Sequence, residues 1–428
     1  MSTRRNFLTA VSGTLAVLPL LSFEHKDANA NEILNLPAPD DPLYWQNLRK
    51  QFPMPPDETY FNTGTLGAQP LCVVNAVIND MRKKAEQIAQ WDFKSEDNSW
   101  ISGYGTNISI REKLGKLINA DVKEIALLQN ATMGMNLIAN GLNLNPGDEV
   151  LSTNQEHPGG KCGWELRSKR QGIVWVPVVI PVPINDPDEI VNRFKSAITS
   201  RTRVIAIPHI ISATGVIIPL KRICSLAREK GIFTVIDGAQ SVGHIKVDVK
   251  DIGCDAYFGS PHKWVLAPAG SGFLYVCQEQ MKNVWTTLAS GQWDNQEDGG
   301  FRLQQRGTGN PSLLVGFEAA LDFFHAVGAD RVIARIKELG DRLRSGLQKN
   351  PRVHIYSSVH PEICAGITTY RIEGMTGDQM QGEFWKRRKM RPRSVGKELG
   401  VRHSVHIYNS IAEIDGAIEI VNDLTNGN

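Results

Sequence analysis

Two apolar runs that end in polar residues decide the fold: IFTVIDGAQ at 232–240 and DAYFGSPHKWVLAP at 255–268. Both are short and rich in β-branched or aromatic side chains, which is typical of buried strands. The first run reaches Asp237, and the second leads through Gly-Ser-Pro-His to Lys263. An ordinary surface lysine does not need such neighbours, whereas a lysine that is held still, partly desolvated and close to an anion does.

The same pattern extends along the chain on both sides of these runs. The strand GIVWVPVVIPV at 172–182 is followed by the amphipathic helix PDEIVNRFKSAITS at 187–200 and the strand RVIAIPHII at 203–211. Short apolar strands that alternate with helices of similar length indicate an α/β fold, with a mostly parallel sheet between layers of helices.

The pattern changes after residue 310, where two long helices are predicted before shorter strands and helices. We therefore expect a loose N-terminal arm at 31–58, a large domain at 59–310 and long connecting helices at 311–350. A small C-terminal α+β domain is expected at 351–428.

The first 30 residues have the layout of a signal peptide. Arg4 and Arg5 precede an apolar run over 7–23, and the small residues Ala-Asn-Ala at 28–30 form a cleavage pattern. The paired arginines favour a twin-arginine export signal and a periplasmic location. A general secretory signal or a lipoprotein-like anchor is the alternative, but no cysteine lies at the cleavage point. We expect no membrane anchor after cleavage.

Composition excludes several classes of protein. The 428 residues carry a formal net charge of +2, so nothing indicates a nucleic-acid partner or an anionic membrane surface. The six cysteines show no CxxC motif, so neither a metal site nor a disulfide framework is predicted.

Polar residues at predicted strand ends and helix starts are the candidate site, because ligands of open α/β sheets bind there. Thr132, in QNATMGMN at 129–136, can form an anion site with the free N–H groups of a helix start, although a plain N-cap is the simpler interpretation. Asp237 ends an apolar strand and needs a positive partner such as a protonated ring nitrogen, unless it only begins a turn. Gln240 can donate to a neighbouring oxygen.

The turn that carries the lysine supplies further candidates. Ser260 and His262 can donate to a phosphate, and Lys263 can form an imine with an aldehyde when its amine is neutral. His157 follows the strand EVLSTNQ at 149–155, and its ring can stack on a flat aromatic ligand. A surface lysine and an unpartnered loop histidine are the alternatives when each residue is taken alone.

Taken together and in this order, a phosphate site, a carboxylate for a ring nitrogen and an imine-forming lysine are what pyridoxal 5′-phosphate requires. The chain resembles class V aminotransferase-type enzymes of the fold-type I pyridoxal-phosphate superfamily, in the branch of isopenicillin N epimerase-like proteins and cysteine desulfurases. The resemblance runs from YFNTGTLGAQP at 60–70 to VRHSVHIYNSIAEID at 401–415. Between them it rests on the motifs NAT, EH, DGAQ, SPHKW and RGTGN.

The resemblance implies a seven-stranded-type sheet, a cofactor-binding domain at 59–310 and roles for individual residues. Lys263 would form the Schiff base and carry protons, Asp237 would pair with the pyridine nitrogen, and Gln240 would face the ring hydroxyl. His157 would stack on the ring. Thr132, Ser260 and His262 would bind the phosphate, and Thr308 would reach the phosphate in the partner subunit of a homodimer. Arg402 would bind the α-carboxylate of the substrate, and Asn62 would line the substrate side of the cofactor.

The sequence does not identify the reaction that the enzyme would catalyse. A cysteine desulfurase needs a thiol shortly before the carboxylate-binding arginine, but the last cysteine, Cys364, lies far upstream of Arg402. Epimerisation and transamination of an amino-acid substrate are not separated by the sequence. The basic stretch at 386–397 is either a solvated loop or a receptor for a second acidic group on the substrate.

Two readings outside this class are disfavoured. A nucleotide-dependent dehydrogenase would carry GxGxxG after its first strand, and the chain lacks it. An exported binding protein of the same fold without catalysis would not be expected to keep both Lys263 and Asp237.

Overall fold

The sheet that positions the site is built from short buried strands, as the alternating pattern predicts. The computed structural model describes residues 36–38, 40–90 and 105–426. The predicted signal peptide at 1–30 and the start of the arm lie outside the described residues. The strands are β1 Thr59–Tyr60, β2 Ile125–Leu128, β3 Glu149–Thr153, β4 Val174–Val178, β5 Thr202–Pro208, β6 Phe233–Asp237, β7 Ala256–Gly259, β8 Gly272–Val276, β9 Val353–Ile355, β10 Ile367–Ile372, β11 Met390–Arg391, β12 Arg393–Ser394 and β13 Val401–Ser404.

Helices connect these strands and cover the faces of the sheet. The helices of the described residues are α1 Tyr44–Arg49, α2 Leu71–Glu86, α3 Ile108–Ile118, α4 Ala131–Gly141, α5 Pro158–Gln171, α6 Pro187–Ala197, α7 Leu220–Arg228, α8 Val249–Ile252, α9 Gly299–Gln304, α10 Pro311–Val327, α11 Ala329–Leu347, α12 Gly377–Arg388, α13 Gly396–Leu399 and α14 Ile411–Asn426. Short 3₁₀ turns occur at Ile88–Gln90, Val122–Glu124 and Met281–Asn283.

In the part of the chain that the structure describes, seven strands form the central sheet in the order β2-β8-β7-β6-β5-β3-β4. Only β8 runs antiparallel to its neighbours, β2 and β7. The predicted α/β fold with a mostly parallel sheet is therefore confirmed. Since β6 and β7 are parallel neighbours, the ends of both strands meet at one edge, and there Asp237 lies opposite Phe258 in the register.

The C-terminal region carries a second, antiparallel sheet in the order β12-β13-β10-β9. Its core includes Tyr370, Met380 and Phe384, packed against residues of α11 and α14. The two long helices expected over 311–350 are present as α10 and α11. Residues from Leu36 onwards form a single compact unit, so the domain boundaries at 310 and 350 stay predictions.

The expectation of a loose arm is wrong for its second half. Tyr44, Leu48 and Phe52 recur every four residues and are at most 4% exposed, because α1 and the turn after it pack onto the body of the protein. The Phe52 ring meets Phe323 of α10 and Tyr408 edge to face.

No single helix among the described residues is long and apolar enough to cross a membrane, although the bent pair α10–α11 passes the same criterion when the two are combined. None of the six cysteines is paired. The described residues contain no group of three or more His, Cys, Asp and Glu side chains that could hold a metal ion.

Candidate active site

A cavity of about 320 Å³ opens at the carboxyl ends of the parallel strands, where ligands of α/β proteins bind. Seven of the predicted site residues line it: Thr132, His157, Asp237, Gln240, Ser260, His262 and Lys263. The lining also includes Gly64, Thr65, Ser212 and Arg393, which the sequence analysis did not assign.

One end of the cavity is formed by the start of α4. Asn130 caps this helix, since its side chain accepts from the N–H of Met133 at 2.9 Å. The Thr132 hydroxyl is therefore not needed as the cap and is available to a ligand. The N–H of Ala131 donates to Oγ of Ser260 at 3.0 Å, which leaves the Ser260 hydroxyl hydrogen free to donate. Free N–H groups and hydroxyls at a helix start suit a phosphate.

His262 stands beside this cradle with its ring fixed. Its Nδ1 lies 3.1 Å from the carbonyl oxygen of Ser271, and a ring nitrogen facing a carbonyl carries the hydrogen. Burial, helped by the charge of Lys263, lowers the pKa of His262. With its hydrogen on Nδ1, the neutral ring offers a phosphate only an acceptor at Nε2, so the predicted phosphate contact requires a second proton on His262 and stays a prediction.

Asp237 closes the back of the cavity. Its Oδ1 accepts from the N–H of Ala239 at 2.8 Å, which orients the carboxyl group and directs Oδ2 towards Gly160 at the start of α5. Burial raises the pKa of Asp237, while the Ala239 N–H and the charge of Lys263 lower it. A positively charged ring nitrogen in the cavity would stabilise the carboxylate further.

Lys263 lies in the turn after β7, and that turn is held by the loop after β1. The N–H of Gly67 donates to the carbonyl oxygen of His262 at 2.9 Å, and a Cβ on Gly67 would lie 2.0 Å from the carbonyl oxygen of Lys263. Burial lowers the pKa of Lys263 from 10.5 to about 8; Asp237 opposes this shift, and Arg402 and Arg393 add to it. A lysine with this pKa is a usable nucleophile and base near neutral pH.

Trp264, next to the lysine in the chain, forms a hydrogen bond that orients the Gln240 side chain. The buried indole N–H donates to Oε1 of Gln240 at 2.9 Å, and the indole stacks on His244 with ring centroids 3.6 Å apart. The Gln240 amide donates to Ser212 and to the carbonyl oxygen of Gly64. A ring hydroxyl would have to share or replace the Ser212 contact, so the role of Gln240 stays a prediction.

His157 is the N-cap of α5, a helix that the sequence analysis did not identify. Its Nδ1 accepts from the N–H of Gly159 at 3.0 Å, which places the hydrogen of the neutral ring on Nε2. Burial and the charges of Lys263, Arg393 and Arg402 lower the pKa of His157. The Gly159 contact and the lowered pKa both favour the neutral imidazole, whose flat ring can stack on a flat ligand.

Arg402 is the strongest candidate for a carboxylate receptor. Its side chain is 1% exposed, donates to the carbonyl oxygen of Ser212 at 2.7 Å and has no acidic partner among the described residues. Burial and the charge of Arg393 lower the pKa of Arg402 to about 9. Neither Arg402 nor Asn62 lines the cavity directly: Arg402 adjoins it through Ser212 and Thr65, which do, and Asn62 contacts the Arg402 guanidinium at 3.4 Å from behind.

Arg393 belongs to the basic stretch at 386–397, from which the sequence did not single it out. This stretch is not one loop, because it comprises the end of α12 followed by β11 and β12. Three of its seven basic residues form surface ion pairs: Arg387 with Glu383, Arg388 with Glu419 and Lys389 with Asp57. Arg393 instead faces the cavity, because β12 pairs with β13 and places it opposite Arg402. Thr308 is exposed and does not line this cavity, so its predicted role in a partner subunit stays a prediction.

The residues fit pyridoxal phosphate at each of its chemical groups. The α4 start suits the phosphate, Oδ2 of Asp237 suits the ring nitrogen and the amine of Lys263 suits the aldehyde. A Cβ on Gly159 would lie 2.6 Å from Oγ1 of Thr132, so the glycine keeps this cradle open.

An imine-forming lysine, a strand-end carboxylate and a phosphate cradle on a mostly parallel sheet define a pyridoxal-phosphate-dependent enzyme. The family model "Aminotransferase class-V" matches residues 104–416. The chain belongs to the aminotransferase class-V family, and its cofactor is pyridoxal phosphate.

Relatives within this family have different activities. Isopenicillin N epimerase of Amycolatopsis lactamdurans is 29% identical over 403 residues, covering 89% of this chain and 98% of the relative. A probable cysteine desulfurase of Methanothermobacter thermautotrophicus is 26% identical, covering 86% and 95%. The apo cysteine desulfurase from Thermococcus onnurineus NA1 superposes with a TM-score of 0.77 at 22% identity, covering 90% and 98%, which shows the shared fold.

Proposed function

We propose that the protein acts at the α-carbon of an amino acid or an amino-acid-containing compound, as an epimerase-like enzyme or a transaminase. One observation carries the proposal: the Lys263 amine, whose pKa is about 8, and the Asp237 carboxylate line one cavity. The buried Arg402 guanidinium, which has no acidic partner among the described residues, adjoins that cavity through its hydrogen bond to Ser212. This is the arrangement needed to bind an α-carboxylate and move the α-proton.

Each residue has a physical task in this proposal. Arg402 binds the substrate carboxylate through two parallel hydrogen bonds, which fixes the α-carbon relative to the lysine. Lys263 removes the α-proton and holds it on Nζ. When bound, the cofactor supplies an electron sink for the remaining charge, and Asp237 keeps the ring nitrogen protonated.

A cysteine desulfurase is not favoured by the site. No cysteine is among the described residues that line the cavity, and Cys364 is buried at 5% exposure. The similarity to probable desulfurases therefore supports the shared cofactor chemistry and not the sulfur chemistry.

The experiment is incubation of the cofactor-loaded protein with candidate amino acids in heavy water, with Lys263→Ala as the matched control. Deuterium at the α-carbon without an oxo acid identifies racemisation or epimerisation, and an oxo acid identifies transamination. Sulfur release from cysteine would overturn the proposal, as would turnover that persists in Lys263→Ala.

We also propose that the protein is exported to the periplasm by its twin-arginine signal and works as a homodimer. The support is the Arg4–Arg5 pair before the apolar run, and the family resemblance that assigns Thr308 to the partner's phosphate site. Export that is undiminished when both arginines are changed to lysine would contradict the first point. A monomer at working concentration, measured by light scattering, would contradict the second.

A further inference from the structure

A second carboxyl group lies behind Asp237, and the site as described above does not use it. Glu156 follows β3 and directly precedes the α5 cap, His157. Its Oε1 accepts from the Thr153 hydroxyl at 2.9 Å and from the Thr153 N–H at 3.3 Å. These contacts turn the side chain back into the protein instead of towards solvent.

Gly160 shows how close the two carboxyl groups are. A Cβ placed on Gly160 would lie 2.8 Å from Oδ2 of Asp237 and 3.3 Å from Oε2 of Glu156. The two oxygens are therefore no more than about 6 Å apart, a range in which like charges oppose each other's ionisation. Such a pair shares its protons instead of carrying two full charges.

The surroundings decide which carboxyl group carries the charge. Asp237 faces Lys263 and the cavity, whereas Glu156 accepts its hydrogen bonds from neutral donors, the N–H and hydroxyl of Thr153. The charged groups near Glu156 are Asp237 on β6 and Lys161 on α5, and Lys161 is already paired with Glu165 at 2.9 Å. Burial, and then the charge of Asp237, raise the pKa of Glu156 to about 8.

We propose that Glu156 keeps its proton at neutral pH and is a positioning residue for Asp237, so that the buried pair presents one negative charge to the cofactor's ring nitrogen. This inference rests on the proposed function in one respect: Asp237 has to face the ring nitrogen of the cofactor. A bound ring cation and the Asp237 carboxylate neutralise each other, so burial still favours the protonated form of Glu156 in the loaded enzyme. The neutral carboxyl group fills the space behind Asp237 and keeps water away from it.

Infrared difference spectroscopy reads the protonation of Glu156 directly. The spectrum of wild type minus Glu156→Gln is recorded on the cofactor-loaded protein and again on the cofactor-free protein. We expect a carboxylic-acid carbonyl band at pH 7 in both, which disappears as the pH rises through about 8 in the cofactor-free protein. Carboxylate bands alone at pH 7 would overturn the inference.

Cofactor affinity tests the positioning role, with Glu165→Gln in α5, the helix that Glu156 precedes, as the matched control. Glu156→Ala should raise the dissociation constant of pyridoxal phosphate about tenfold or more, since it leaves Asp237 beside a void. Glu156→Gln should recover most of that loss, because an amide has the shape of the protonated acid. A Gln variant as weak as the Ala variant, or an Ala variant with unchanged affinity, would refute the role. If Glu156→Ala does not fold, Glu156→Gln is compared with wild type: a dissociation constant raised about tenfold in the Gln variant would refute the role.

The proposed reaction and the protonation of Glu156 can be tested independently of each other. The infrared band does not depend on turnover, so an enzyme without α-carbon exchange that still shows the band would overturn the proposed reaction and leave the Glu156 assignment standing.

Discussion

The pH dependence of cofactor capture follows from the environment of Lys263. Only the neutral amine attacks an aldehyde, and burial lowers the pKa of this amine from 10.5 to about 8. At pH 7 about one-tenth of the amine is then neutral, which is roughly 300-fold more than for an unperturbed lysine. The rate of capture should rise about tenfold per pH unit below pH 8 and level off above it.

The assay mixes cofactor-free protein with pyridoxal phosphate in a stopped-flow instrument and follows absorbance from about pH 6 to about pH 10. The same measurement with a small free amine corrects for the titration of the cofactor itself. A corrected rate that keeps rising up to about pH 10, or that does not change with pH, would refute the argument that burial activates Lys263.

Charge variants should move the midpoint of this profile in opposite directions. Asp237 raises the pKa of Lys263, so Asp237→Asn should shift the midpoint to lower pH. Arg402 lowers it, so Arg402→Gln should shift the midpoint to higher pH. Both shifts should be smaller than the shift caused by burial, and shifts in the same direction would contradict the assignment.

Three further predictions concern single contacts. Asp237→Ala should reduce turnover about 100-fold or more while cofactor still binds, measured by steady-state kinetics and by absorbance. Gly160→Ala should weaken cofactor binding about tenfold, measured by equilibrium titration, because its Cβ would lie 2.8 Å from Oδ2 of Asp237. Arg402→Lys should raise KM for the amino acid about tenfold and leave cofactor affinity unchanged, since lysine lacks the two-pronged contact. Unchanged kinetics in Asp237→Ala or in Arg402→Lys, or unchanged affinity in Gly160→Ala, would contradict the geometry.

The strands at the centre of the sheet were predictable because burial on both faces leaves continuous apolar runs in the sequence. Asp237 and Lys263 stood out for the same reason, as polar residues directly after such runs. Their meeting in one cavity follows from the parallel pairing of β6 and β7.

The features that the sequence did not predict, helix α5 and the place of Arg393, depend on contacts between residues far apart in the chain, which no local sequence pattern shows. Helix α5 is rich in glycine and begins with Pro158; a Cβ on Gly160 or Gly163 would crowd Asp237 or Met135. Arg393 reaches the cavity only through the register of β12 with β13.

Glu156 carried one signal, its place beside His157 in the EH motif. Glu156 directly follows the predicted strand EVLSTNQ at 149–155, and a buried glutamate there is as costly as a buried aspartate. The same argument that selected Asp237 would have selected Glu156 as well.

The central claim is that Lys263 forms the covalent bond with the cofactor. Reduction of the cofactor-loaded protein with borohydride makes this bond permanent, and peptide mass spectrometry then locates it. The account predicts one pyridoxyl group, on Lys263, and none in Lys263→Ala. A label on another lysine, or a Lys263→Ala protein that is labelled as fully as wild type, would contradict it.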